Sequence, residues 1–225
     1  MGIAENILQI NKELPPSTKL VAVSKFKPVE AVQEAYDAGQ RVFAESRPQE
    51  LKMKVELLPK DIEWHFIGHL QTNKIKMVVP YATLIHSIDS ERLLVEVGEY
   101  ARKNGYRLGV LLELHIAQEE SKQGFSAEEI LDLLDRISAD KELQDKFSNI
   151  TFRGLMAMAS FVDDEVQIRG EFSKLLALNE KIRKKGYPFL ENFSELSFGM
   201  SGDYHIAAEM GSTMVRIGTS IFGSR

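Results

Sequence analysis

Lys19-Leu-Val-Ala-Val-Ser-Lys25, running on into Phe26-Lys27-Pro28, reads as a short apolar strand that ends on a basic residue and turns into a helix. Pro28 suits the first turn of that helix, Val29, Val32 and Tyr36 follow at helical spacing, and Gly39 stands where a C-terminal cap belongs. An open dinucleotide-binding sheet would advertise a Gly-x-Gly-x-x-Gly turn after its first strand. This chain has Ser24-Lys25-Phe26-Lys27 there instead.

Outward from this unit the pattern recurs. Apolar runs at residues 19 to 25, 41 to 45, 63 to 68, 84 to 88, 108 to 116, 150 to 158, 195 to 200 and 214 to 218 make eight strand candidates with helical patterns between them. Ser126 and Glu129 form a capping box before Ile130, Leu133, Leu134 and Ile137, and Gly186 closes a long helix carrying Phe172, Leu175, Leu176 and Ile182. Eight β-then-α units without a linker predict an α/β fold, a single (β/α)8 TIM barrel over residues 1–225. Ile3, Ile7, Leu8 and Ile10 fall on one side of a helical wheel, so an extra N-terminal helix is expected to pack on the barrel as a lid. The charged stretch from Asp135 to Ser148 reads as a solvated excursion.

Composition narrows the function. A net charge of −5 argues against nucleic acid as a partner but leaves room for a local basic pocket that takes a small anion. With no cysteine, disulfides, thiolate catalysis and cysteine-bound metal drop out. No apolar run approaches the ~20 residues of a membrane span, and the N-terminus lacks a basic region before an apolar core. A cytoplasmic protein is expected.

In a barrel, chemistry sits at the C-terminal ends of the strands, and phosphate is commonly held after strands seven and eight. Strand seven ends in Phe198-Gly-Met-Ser201-Gly-Asp203 and strand eight in Val215-Arg-Ile-Gly218-Thr219-Ser220. Each offers glycine-adjacent N–H groups and a hydroxyl, the donor chemistry of an anion nest. Strand alternation turns Met214 and Arg216 inward and Val215 and Ile217 toward the helices. A buried arginine needs a partner, either a ring nitrogen that it keeps unprotonated or a carboxylate such as Glu113 or Glu45. Lys25 at the tip of strand one suggests imine chemistry, since an amine is the nucleophile that forms Schiff bases.

With these motifs in place the chain resembles the pyridoxal 5'-phosphate (PLP) homeostasis proteins, single-domain relatives of the alanine racemase N-terminal barrel. The resemblance spans nearly the whole chain. It rests on Val21-Ala-Val-Ser-Lys25-Phe-Lys-Pro28, Trp64-His-Phe-Ile-Gly-His-Leu-Gln71 with Asn73-Lys74, Gly154-Leu-Met156, Phe198-Gly-Met-Ser201-Gly-Asp203 and Gly211-Ser-Thr-Met-Val-Arg-Ile-Gly218-Thr-Ser-Ile-Phe-Gly223. It implies that Lys25 holds PLP as an internal aldimine, that Ser201, Gly218 and Thr219 hold the phosphate, and that Arg216 faces the pyridine nitrogen. Met156 and His69 belong to the same expected cofactor pocket. Where the family usually has Phe-Gly-Glu-Asn, this chain has Phe43-Ala44-Glu45-Ser46, so Ser46 brings a shorter side chain to that contact.

Lys27, two residues beyond Lys25, is a candidate relay for cofactor transfer, and Lys74 a second basic group; both also read as solvated loop lysines. His65 and His69 have the i, i+4 spacing of a helical zinc pair, but on a strand that spacing separates them by about 13 Å, so no metal site is expected. His86, His115 and His205 read as structural.

In the related racemases the resemblance places a second base, a tyrosine, on a separate β-rich domain. This chain ends at Arg225 soon after strand eight, leaving Tyr204 as the local tyrosine to serve instead. A ring nitrogen left unprotonated by Arg216 would also stabilise a carbanion poorly. The expectation is therefore a monomeric carrier that holds PLP and supplies PLP-dependent apo-enzymes, without efficient turnover. The alternatives are a low-activity PLP-dependent amino-acid racemase and a barrel enzyme forming a lysine Schiff base with a sugar phosphate.

Overall fold

Strand β1, Lys19–Val23, pairs in parallel with β2, Val42–Glu45, on one side and with β8, Met214–Ile217, on the other. Between them run β3 (Glu63–Phe66), β4 (Leu84–Ile88), β5 (Leu108–Glu113), β6 (Ile150–Met156) and β7 (Glu195–Ser197), closing an eight-stranded parallel barrel in sequence order. The computed structural model describes residues 2–117 and 123–224; Met1 and Arg225, the two ends of the expected domain, lie outside them.

The helices are α1 (Ile3–Glu13), α2 (Val29–Asp37), α3 (Pro48–Leu57), α4 (Ile75–Val78), α5 (Glu91–Asn104), α6 (Ala127–Ala139) and α7 (Lys141–Lys146). After them come α8 (Glu165–Lys185), α9 (Tyr204–Glu209) and α10 (Thr219–Phe222). The predicted capping box starts α6, with Glu129 N–H donating to Ser126 Oγ at 3.1 Å, and Gly186 ends α8 in the left-handed conformation at φ 62°. Among the described residues, no helix is long and apolar enough to cross a membrane.

Period-2 alternation divides the apolar residues of the strands into two layers. Val21, Val23, Ala44, Leu84, Leu111, Met156 and Met214 fill the barrel, while Leu20, Ala22, Phe43, Phe66, Val215 and Ile217 pack outward under the helices. Each large apolar side chain buried there contributes roughly 1.5–3 kcal/mol. Arg216 lies opposite Val21 in the β1–β8 register and so shares its inward phase.

Several observed strands stop short of the predicted runs. The surplus residues, among them Lys25, Ile67, Met158 and Met200, turn off the strand ends and line the barrel mouth. Helix α1 packs against α2 and α10, burying Ile7 and Ile10 in the outer layer, and Asn6 Nδ2 donates to the Ile221 carbonyl at 2.9 Å. The excursion expected from Asp135 to Ser148 is instead the end of α6 followed by α7, capped by Asp140, whose Oδ1 accepts from Glu142 N–H at 2.8 Å. Ile137 and Phe147 anchor it to the core while its charges face solvent. Charge density marked an exposed face, and the capping aspartate made it helical.

Candidate active site

The strand ends surround a cavity of about 500 Å³, within the range of roughly 300–1,000 Å³ usual for small-ligand sites. Lys25, Ser46, Met156, Ser201, Arg216, Gly218 and Thr219 all line it, although they come from the ends of five strands.

Lys25 leaves β1 through a sharp turn. Phe26 takes the left-handed conformation at φ 64°, which costs a non-glycine residue roughly 1–2 kcal/mol. Its N–H donates to Glu50 Oε2 at 2.7 Å, and the Arg47 guanidinium sits 4.1 Å from the centre of its ring. These contacts hold a turn that ends the strand at the cavity, where Lys25 is exposed.

On the far side, the loops after β7 and β8 meet. Gly218 N–H points to Ser201 Oγ at 3.4 Å, and Met200 N–H donates to Asp203 Oδ1 at 2.5 Å. Gly218 is the N-cap of α10, so the first N–H groups of that helix, from Thr219 on, have no intrahelical acceptors and suit an anion. A Cβ at position 218 would stand 3.1 Å from the Val23 carbonyl, which explains the glycine.

Lys27 has a different position from that of a free relay. Its ammonium donates to the carbonyls of Phe222, Gly223 and Ser224 at 3.1, 2.9 and 3.1 Å, and so grips the C-terminal end of α10. Lys74 is half-buried at the start of α4 and does not line the cavity.

Arg216 is buried, with neither expected carboxylate as its partner. Nη1 donates to the Ser197 carbonyl and Oγ at 2.8 and 2.6 Å, and Nη2 to the Ala157 carbonyl at 3.1 Å. Burial pushes its pKa down to about 10, opposed by Asp203 and Glu113, so it remains charged at neutral pH. Glu45 is engaged elsewhere, 2.7 Å from the Lys54 ammonium. Glu113 forms no ion pair with Arg216 among the described residues; its Oε2 is buried without a hydrogen-bond partner. Burial, helped by Asp89, raises the Glu113 carboxyl to about 7.

The histidines divide. His69 does not line the cavity: it is exposed, with Nδ1 3.1 Å from Asp89 Oδ2, because the chain turns outward after β3. His65 and His86 are fully buried inside the barrel, where Nδ1 of one lies 2.9 Å from Nε2 of the other. His205 is exposed near Glu13. Among the described residues, no group of three or more acidic, histidine or cysteine side chains is arranged to hold a metal.

Tyr204 is no substitute second base in this geometry. Its hydroxyl donates to Glu13 Oε2 on α1 at 2.6 Å, and burial followed by that carboxylate raises its pKa well above the ordinary tyrosine value. The residues that sequence reading missed are Ile67 and the loop after β6, with Met158, Ala159, Phe161 and Val162 and the polar Ser160 and Asp163 among them. The signal was present in a run from Met156 to Val162, apolar except at Ser160, that is longer than its strand needed.

This frame has clear relatives. The family described as alanine racemase, N-terminal domain, matches residues 2–225. Pyridoxal phosphate homeostasis proteins are 39% identical over 216 residues in Vibrio alginolyticus, covering 94% of this chain and 88% of that one. The Homo sapiens protein of the same name is 40% identical over 225 residues, covering 95% and 79%. The chain belongs to the pyridoxal phosphate homeostasis protein family. The solved structure of PipY from Synechococcus elongatus with PLP bound superposes with a TM-score of 0.87 at 33% identity, covering 98% of this chain and all of that one.

Membership of the pyridoxal phosphate homeostasis family makes it possible to test whether these residues fit PLP. The cofactor presents an aldehyde, a phosphate and a ring nitrogen. The cavity offers an amine at Lys25, a hydroxyl and helix-start N–H groups at Ser201, Gly218 and Thr219, and a guanidinium at Arg216. The three hydrogen bonds of Arg216 leave donors over from the five that a guanidinium carries. The donor set fits.

Proposed function

We propose that this protein binds PLP in the cavity as a Schiff base on Lys25 and acts in the cytoplasm as a monomeric store or donor of the cofactor for PLP-dependent apo-enzymes. One observation carries this reading: Lys25, the Ser201, Gly218 and Thr219 nest and Arg216 line a single cavity. The PLP bound to PipY and the name shared by the relatives support the choice of ligand.

PLP supplies an aldehyde that condenses reversibly with amines. Lys25 Nζ, at the cavity, would be the amine that holds it there. Ser201, Gly218 and Thr219 anchor the phosphate, while Arg216 donates to the ring nitrogen and keeps it unprotonated. A ring in that state withdraws electrons weakly, which favours holding over turnover. Among the described residues, no tyrosine or histidine lines the cavity, so a racemase would have to draw its second base from Asp163 or Asp203 instead of the tyrosine that its relatives use. One copy of the chain supplies all the proposed contacts, which supports a monomer.

The test is a visible absorption titration with PLP, then borohydride reduction and peptide mapping, on wild type and Lys25→Ala in parallel. A Schiff-base band with label on the Lys25 peptide, absent from the variant, is expected. If wild type develops no band and retains no label, the PLP reading fails and the sugar-phosphate barrel takes its place. Exchange of an amino-acid α-proton in deuterated water would favour the racemase.

A further inference from the structure

Behind Arg216, a file of hydrogen-bonded side chains runs down the inside of the barrel. Arg216 Nη1 donates to Ser197 Oγ at 2.6 Å, and His86 Nδ1 lies 3.0 Å from the same oxygen. His86 Nε2 is 2.9 Å from His65 Nδ1, and His65 Nε2 is 3.1 Å from Glu63 Oε1. Ser197, His86 and His65 are fully buried, whereas Glu63, the first residue of β3, is half-exposed at the opposite rim of the barrel. The file therefore joins the cavity to the far face through the core.

The two ends set its direction. A guanidinium can only donate, and an ionised carboxylate can only accept. The hydrogen bond from His65 holds Glu63 below the usual carboxylate range, so it is ionised at neutral pH. With one proton on each ring, every position is satisfied in one sense only. His65 Nε2–H donates to Glu63, His86 Nε2–H donates to His65 Nδ1, and the Ser197 hydroxyl donates to the bare Nδ1 of His86. That leaves the Ser197 oxygen to accept from Arg216. Burial, then the neighbouring His65 and Arg216, hold the His86 imidazole well below the ordinary histidine range, in keeping with a neutral ring.

His86 thus decides which way the Ser197 hydroxyl points. If its proton had no acceptor at His86, the hydroxyl could rotate and present hydrogen instead of a lone pair to the guanidinium. Partly satisfied polar files in a core are costly and fully satisfied ones fix geometry. We infer that His86, backed by His65 and Glu63, is a positioning residue that fixes the Arg216 guanidinium and through it the ring end of the ligand. The inference deepens the PLP reading and rests on it only for the identity of that ligand.

Two substitutions separate polarity from bulk. In His86→Gln, the amide oxygen can accept from Ser197 and the amide nitrogen can donate to His65, preserving the direction of the file. His86→Leu removes both functions. The first readout needs no cofactor: 15N NMR of the unliganded protein should show His65 and His86 as single Nε2–H tautomers, with Arg216 side-chain signals moved by Leu and restored by Gln. The second is PLP titration, in which Leu should shift the visible band and weaken binding about tenfold or more, the loss of one hydrogen bond to a charged group. Gln should remain near wild type.

Should His86→Leu fail to fold, Ser197→Ala cuts the same link with a smaller change in volume and should move the Arg216 signals alike. A protonated Nδ1 on His86, or Arg216 signals indifferent to the Leu and Ala variants, overturns the inference. Failure of wild type to bind PLP while the tautomers and Arg216 shifts appear as stated would sink the ligand reading and leave the positioning role standing.

Discussion

Lys54, on helix α3, sets its ammonium 2.7 Å from Glu45 Oε1 at the end of β2, with neither side chain exposed. The same ammonium donates to the Ser24 carbonyl at 2.8 Å, and the Ser24 hydroxyl donates to the same Glu45 oxygen at 2.6 Å. The cluster stitches the ends of β1 and β2 to α3 at Ser24, the residue before Lys25. Burial raises the Glu45 carboxyl and Lys54 opposes that rise. Lys54→Met leaves a buried carboxylate without its cation and should cost about 3–5 kcal/mol, while Lys54→Met with Glu45→Leu should recover much of it. Urea unfolding of the single and double variants measures the coupling. Additive losses would mean that the pair does not act as one unit.

Glu113 should make stability depend on pH. Burial raises its carboxyl from 4.5 to about 7, so between those values the folded protein binds the proton more tightly than the unfolded chain. The contribution is present at low pH and is lost as pH rises through 7. Glu113→Gln stays neutral throughout, and its stability relative to wild type should improve by about 3 kcal/mol between pH 4 and pH 8. Urea midpoints at both pH values give the difference, and parallel profiles would contradict it.

Lys27 holds the C-terminal end of the helix whose N-terminal end is the proposed phosphate nest. Lys27→Met should loosen α10 and weaken PLP binding by roughly three- to tenfold, less than the about 1.5–3 kcal/mol of a direct hydrogen bond to a charged group because the loss reaches the nest only through the helix. Borohydride label should still map to Lys25. Label on the Lys27 peptide of wild type would instead give Lys27 the relay role.

Gly154 allows β6 and β7 to approach. A Cβ there would lie 1.8 Å from the Glu195 carbonyl oxygen, on the strand partner with which Gly154 is in register, and its φ of 153° disfavours a side chain as well. Because the clash is with backbone, no rotamer relieves it. Gly154→Ala should yield little soluble protein, and any that is recovered should melt well below wild type by circular dichroism.

Much of the site was legible because a barrel brings the C-terminal ends of its strands to one face whatever their separation in sequence. Lys25, Ser201, Gly218 and Thr219 could be assigned from strand ends alone, and Arg216 from the parity of its position relative to Gly218. His69 shows the limit. It lies three residues beyond the end of β3, where alternation no longer applies, and the turn carries it out to Asp89. The wall from Met158 to Val162 shows another, since a loop has no period to read.

The sequence by itself determined the eight strands, their inward and outward faces and the chemical groups at the barrel mouth. Local hydrophobic periodicity and capping carry that information within each short segment. Only the tertiary structure decided which inward groups meet. His65, His86 and Ser197 lie on three different strands, and their contacts depend on the stagger of a closed barrel. The same holds for Arg216 finding carbonyls instead of Glu113, for Lys54 answering Glu45, and for Tyr204 turning to Glu13. Those pairings are set by closure of the whole sheet, a property of all eight strands at once that no single segment encodes.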